Sequence, residues 1–94
     1  MIGCCTPKTL KFFKSISDKH RQLILALLKV HKNLNASEIQ HHIRLSQPTT
    51  SHHLSLLTQS GAIEAKKKGK EVYYSLKTKN ISSCCLGFLK DILH

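Results

Sequence analysis

LSQPTTSHHLSLLTQSGAIEAKKKGKEVYYSL, Leu45 to Leu76, changes its period part-way through. Its first half has helical spacing. Ser46 is placed to cap a helix, Pro48 suits a first turn, and Gly61 stands just past a C-terminus near Gln59. Leu54 and Leu57 then mark an inward side shared with Thr50, and Gln47, Ser51, His52 and Ser55 mark an outward side that is polar and either short or flat. From Ile63 the period drops to two. Ile63 with Ala65, and Val72, Tyr74 and Leu76, alternate with polar positions as half-buried strands do. The strands meet at KKKGK, where Gly69 suits the positive φ of a tight turn.

Upstream, three further helices are expected. Thr6 to Ser17 forms the first, with Thr6 as cap, Pro7 in the first turn and Leu10, Phe13 and Ile16 at helical spacing. Ser17 caps the second, which runs to about Val30 with Leu23, Ile24, Leu27 and Leu28 on its apolar side. Asn35 and Glu38 form a capping box for a third, short helix that buries Ile39 and Ile43. A last helix from about Asn80 to Leu93 aligns Ile81, Cys84, Cys85, Phe88, Leu89 and Ile92. The expected fold is therefore mainly α with a small β-hairpin, in the order α-α-α-α-β-β-α. That is a winged helix-turn-helix in a single domain spanning residues 1–94.

Charge narrows the partner. Fifteen lysines and arginines against five acidic residues give a net charge of +10, which suits a polyanion. No apolar run approaches the roughly 18 residues a bilayer span needs, and MIGCCTPKTLKFF lacks a secretory h-region. The expectation is a cytoplasmic protein with no membrane partner, whose thiols are reduced. Catalysis is not expected: no paired carboxylates, nucleophile elbow or phosphate loop occurs, and Ser51 and His52 do not face each other as helix neighbours.

The pair of short helices Ala36–Ile43 and Gln47–Gln59, joined by Arg44-Leu45-Ser46, lets the second helix enter a major groove. Gln47, Thr49, Ser51, His52 and Ser55 are the residues expected to meet bases or phosphates of double-stranded DNA. Lys66, Lys67, Lys68 and Lys70 sit at the hairpin tip, where phosphate contact predicts salt-dependent binding.

These residues carry a resemblance. Leu45, Ser46, Pro48, Ser51, His53, Leu54, Leu56, Leu57, Gly61, Tyr73, Tyr74 and Leu76 are similar to the signature of the ArsR/SmtB family of repressors. The likeness is close over about a third of the chain. SISDKHRQLILALL is also similar to the start of that family's second helix. The resemblance implies a homodimer paired through the first and last helices, operator binding, and release by an inducer. A repressor or sequence-tolerant nucleic-acid binder with no sensing site is the alternative.

The family's metal sites can be sought position by position. Asn35-Ala36-Ser37-Glu38 stands where a cysteine cluster opens the third helix and holds no cysteine. Of the zinc site that the resemblance places across paired last helices, Thr78 and Asn80 are poor ligands, while Asp91 and His94 can bind. His41, His42 and His52 are open to several roles, His53 reads as half-buried scaffolding, and His20 and His31 have no partner identifiable by spacing. Cys4, Cys5, Cys84 and Cys85 remain. Three readings stay open for them: ligands for arsenite, antimonite or another thiophilic ion, a dithiol redox switch, or small hydrophobes in packing.

Overall fold

The computed structural model describes the backbone of residues 7–82 and the side chains of residues 12–82. The Thr6 cap, all four cysteines and most of the expected last helix lie outside the described residues. So do Asp91 and His94.

α1 (Pro7–Ile16) leads almost directly into α2 (Lys19–His31). The cap of α2 is Asp18, not Ser17: its carboxylate accepts the amides of His20 and Arg21 at 2.9 and 3.1 Å. An ionised carboxylate is the stronger acceptor for a helix N-terminus, so it displaces the neighbouring hydroxyl. The Ser17 hydroxyl instead donates back to the Lys14 carbonyl. Ile24 and Leu28 are buried and Leu27 is half-buried, but Leu23 is 51 % exposed, contrary to its expected place on the apolar side. One residue turns a helix by about 100°, and that carries Leu23 out of the stripe centred on Ile24 and Leu28.

α2 ends on Lys32, whose φ of 66° lets the Asn33 amide donate to the His31 carbonyl in a tight γ-turn. The chain then pairs briefly as β1 (Leu34–Asn35) before α3 (Ala36–Ile43) starts. The expected capping box is present. Glu38 N–H donates to Asn35 Oδ1 at 2.8 Å, and Asn35 N–H donates to Glu38 Oε1 at 2.9 Å.

Arg44 adopts the left-handed conformation, φ 55° and ψ 41°, and turns the chain sharply from α3 into α4 (Gln47–Gln59). Ser46 caps α4 as expected. Its C-terminus closes in a Schellman motif: Gly61 N–H donates to the Thr58 carbonyl and Ala62 N–H to the Leu57 carbonyl, both at 3.1 Å. Gly61 supplies the positive φ, 84°, that this motif requires. An added Cβ there would also stand 3.1 Å from Asn80 Nδ2, which donates to the Gly61 carbonyl.

β2 (Ile63–Lys68) and β3 (Glu71–Leu76) form the antiparallel wing, from Ile63 opposite Leu76 to Lys68 opposite Glu71. β1 adds to the other side of β3, with Leu34 opposite Tyr74, so the sheet has three strands in the order β1-β3-β2. Two residues are too few for alternation to register, which is why the sequence points to the hairpin alone. Residues 78–82 are helical, starting ahead of Asn80.

The core gathers Phe12 from α1, Ile24 and Leu28 from α2, Leu34 from β1, Ile39 from α3, Leu54 and Leu57 from α4, and Ala62 and Ile63 at the root of the wing. Leu54 and Leu57 hold α4 by one face, and Thr50 joins them with its hydroxyl satisfied by the Ser46 carbonyl at 2.9 Å. Val72 is 36 % exposed because it pairs with Lys67 near the wing tip, away from this core. The observed architecture is a winged helix-turn-helix.

Candidate nucleic-acid interface

Burial by Thr50, His53, Leu54 and Leu57 fixes which side of α4 remains outside. Gln47, Thr49, Ser51, His52 and Ser55 are all exposed, as the spacing predicts. Two of them have internal partners. Thr49 Oγ1 accepts from Ser46 Oγ at 2.8 Å, and Ser55 Oγ accepts from Gln59 Nε2 at 3.3 Å. Each hydroxyl keeps its own proton for an outside acceptor. The outward face is thus built of short polar groups on a helix anchored from behind.

A hollow of about 300 Å³ joins this face to the wing, lined by Ser51, Ser55, Thr58 and Gln59 from α4 and by Ala65 and Tyr74 from the strands. The face and the sheet therefore border one another. Lys66, Lys67, Lys68 and Lys70 are all exposed, but they differ. Lys66 Nζ lies 3.4 Å from Glu64, and Lys68 Nζ lies 5.9 Å from the Tyr73 ring centroid. Among the described residues, Lys67 and Lys70 make no ion pair.

His53 sits on the opposite side of α4 from the exposed face, 8 % exposed and more deeply set than half-buried scaffolding. Its Nδ1 lies 3.2 Å from Arg21 Nη1. Guanidinium only donates, so Nδ1 accepts and the neutral ring carries its proton on Nε2. Burial pushes the His53 pKa below the usual histidine value, with the nearby Asp18 carboxylate partly opposing this. The hydrogen bond from the Arg21 amide holds the Asp18 carboxyl below its ordinary range. Arg21 Nε also donates to the Ser15 carbonyl, so one side chain joins the end of α1, the start of α2 and α4. His20 has a partner after all: its ring centroid is 5.8 Å from that of His53. Residue spacing gives no sign of it, because His20 and His53 belong to different helices.

The described parts of the family's metal positions are otherwise engaged. Asn35 and Glu38 are spent on the capping box, and Asn80 on the Gly61 carbonyl. Among the described residues, neither position offers a thiolate or imidazole.

The family model described as "Bacterial regulatory protein, arsR family" matches residues 18–65, from the α2 cap into the wing. The chain belongs to the arsR family. It is accordingly a DNA-binding transcriptional regulator of winged-helix type and not an enzyme. Among arsR-family relatives, the transcriptional repressor SdpR of Bacillus subtilis (strain 168) is 46 % identical over 66 residues, covering 70 % of this chain and 72 % of SdpR. The cadmium resistance transcriptional regulatory protein CadC of Listeria innocua is 35 % identical over 91 residues, covering 94 % of this chain and 76 % of CadC. The fold also matches the solution structure of the homodimeric winged helix-turn-helix DNA-binding domain Mb0332 from Mycobacterium bovis. There the TM-score is 0.73 at 22 % identity, covering 92 % of this chain and 77 % of that one. Among the described residues, no helix is long and apolar enough to cross a membrane.

Proposed function

We propose that this arsR-family chain is a transcriptional repressor acting as a homodimer in the cytoplasm. Residues Gln47, Thr49, Ser51, His52 and Ser55 of α4 meet base edges and phosphates in the major groove. Lys67 and Lys70 lead the phosphate contacts of the wing, with Lys66 and Lys68 beside them. The observation that carries the reading is the exposed polar face of α4, anchored from behind by Leu54 and Leu57 and bordered by a lysine-tipped wing. The name of the SdpR relative supports repression, and the homodimeric Mb0332 domain supports the dimer.

The finer reading concerns release. Cys4, Cys5, Cys84 and Cys85 take a thiophilic ion such as arsenite or antimonite, or oxidise, and the protein leaves its operator. Thiolate chemistry and the cadmium resistance relative support this reading, which lies outside the described residues.

Selection of bound duplexes from a random pool tests the first part. A dimeric repressor enriches an inverted repeat with half-sites about one helical turn apart. Enrichment of nothing, or of composition alone, favours the sequence-tolerant binder instead. Titrating the reduced protein–DNA complex with arsenite, antimonite, cadmium, zinc and an oxidant tests the second part. Release that persists in Cys84→Ser, Cys85→Ser protein argues against the cysteines as sensor.

A further inference from the structure

Among the described residues, Asp18, His20 and His53 form the one group of three metal-binding side chains whose ligand atoms all lie within 4.8 Å of one another. Two come from the start of α2 and the third from α4. The set is graded in depth. The Asp18 and His20 side chains are 35 % and 37 % exposed, which gives an ion a way in, while His53 is buried. A carboxylate and two imidazoles are the borderline donor set that zinc takes, with water completing a tetrahedron.

Arg21 already occupies one of the three groups. Its guanidinium donates to His53 Nδ1, the lone pair of the neutral ring as it stands. A metal ion taking that lone pair must displace the guanidinium. If the ring instead offers Nε2, the proton moves to Nδ1 and meets the Arg21 donor head-on. On either tautomer, ligation of His53 and the Arg21–His53 hydrogen bond exclude each other. Two positive groups also cannot share that corner without cost.

We propose that Asp18, His20 and His53 form a binding site for a divalent cation of the zinc class, in competition with Arg21 for His53. Occupation exchanges one link between α2 and α4 for another. The hydrogen bond through Arg21 gives way to coordinate bonds from Asp18 and His20. The site is distinct from the terminal cysteines and needs no DNA. Its failure is therefore distinguishable from failure of the operator reading.

The test is titration of the reduced full-length chain with zinc, and with cobalt as a spectroscopic probe, in the absence of DNA. One equivalent should give a cobalt spectrum of nitrogen and oxygen ligation, without thiolate charge-transfer absorption, and should shift the imidazole NMR signals of His20 and His53. His20→Gln should weaken that equivalent at least about tenfold, as loss of a direct ligand must cost no less than loss of a supporting one. Asp18→Asn, which keeps a capping oxygen, should weaken it too. Arg21→Gln should move the other way and tighten it. Circular dichroism checks that each variant is folded, and a misfolded variant leaves the other two to decide. Unchanged affinity in the folded ligand variants, or cobalt spectra showing thiolate ligation alone, overturns the site.

Discussion

Arg21 Nη1 donates to His53 Nδ1 across 3.2 Å and 32 residues of sequence, tying the second helix to the buried side of the helix proposed to read DNA. Because Nδ1 must stay unprotonated to accept, this link depends on pH. The His53 pKa is lowered by burial, and the charged and titratable groups around it are Asp18, Arg21, His20 and His52. The unfolded chain therefore takes up a proton near the ordinary value of 6.5, before the folded one does. Stability from this group is fully present above that value and is lost as pH falls below it towards the lowered folded pKa. The lowered Asp18 carboxyl acts in a separate window, below its ordinary 3.8.

Thermal unfolding should accordingly show a midpoint that drops on acidification from about pH 7 to about pH 5. His53→Gln, whose amide oxygen still accepts from Arg21 but does not titrate in that range, should lose most of this slope. A slope equal to that of the unmodified chain would place the pH dependence elsewhere.

Asn35 does two jobs, capping α3 with its side chain and pairing with Tyr73 through its backbone. Asn35→Ala removes the first and leaves the second. It should cost about 0.5–2 kcal/mol, read by urea denaturation. Asn35→Ser should restore most of it. A larger loss in the serine variant than in alanine would mean the cap is not what holds this helix start.

The wing lysines should act through charge alone. Replacing Lys67 and Lys70 with glutamine should weaken specific and random duplexes alike, and the salt slope should flatten by about one unit for each phosphate no longer neutralised. Lys66→Gln should matter less, since Glu64 lies 3.4 Å from its ammonium. Equal effects from all three would show that this pairing does not persist in solution.

Much of this architecture is legible in the sequence. The capping box at Asn35 and Glu38, the Ser46 cap, the Gly61 stop and the two-residue period of the wing are local signals. Local hydrogen bonding is what a sequence records most directly. The exposed face of α4 is legible for the same reason, since Leu54 and Leu57 define its opposite. What escapes is non-local or too short. β1 has two residues and exists only because Leu34 meets Tyr74, 40 positions on. Asp18, His20, Arg21 and His53 meet because α2 and α4 pack together, and no spacing rule joins position 20 to position 53. Asp18 also displaces Ser17 as a cap through a difference in acceptor strength that composition does not rank.

The proposed division, α4 reading bases and the wing holding phosphates, predicts different losses on two duplexes. The duplex enriched by selection and a scrambled duplex are titrated with the unmodified chain and with Ser51→Ala, His52→Ala protein at physiological salt. The unmodified chain should prefer the selected duplex by about 10³-fold or more. The double variant should lose about 1–3 kcal/mol per base contact on that duplex while binding the scrambled one almost as before. A double variant that keeps the full preference would contradict the assignment of this face to the major groove.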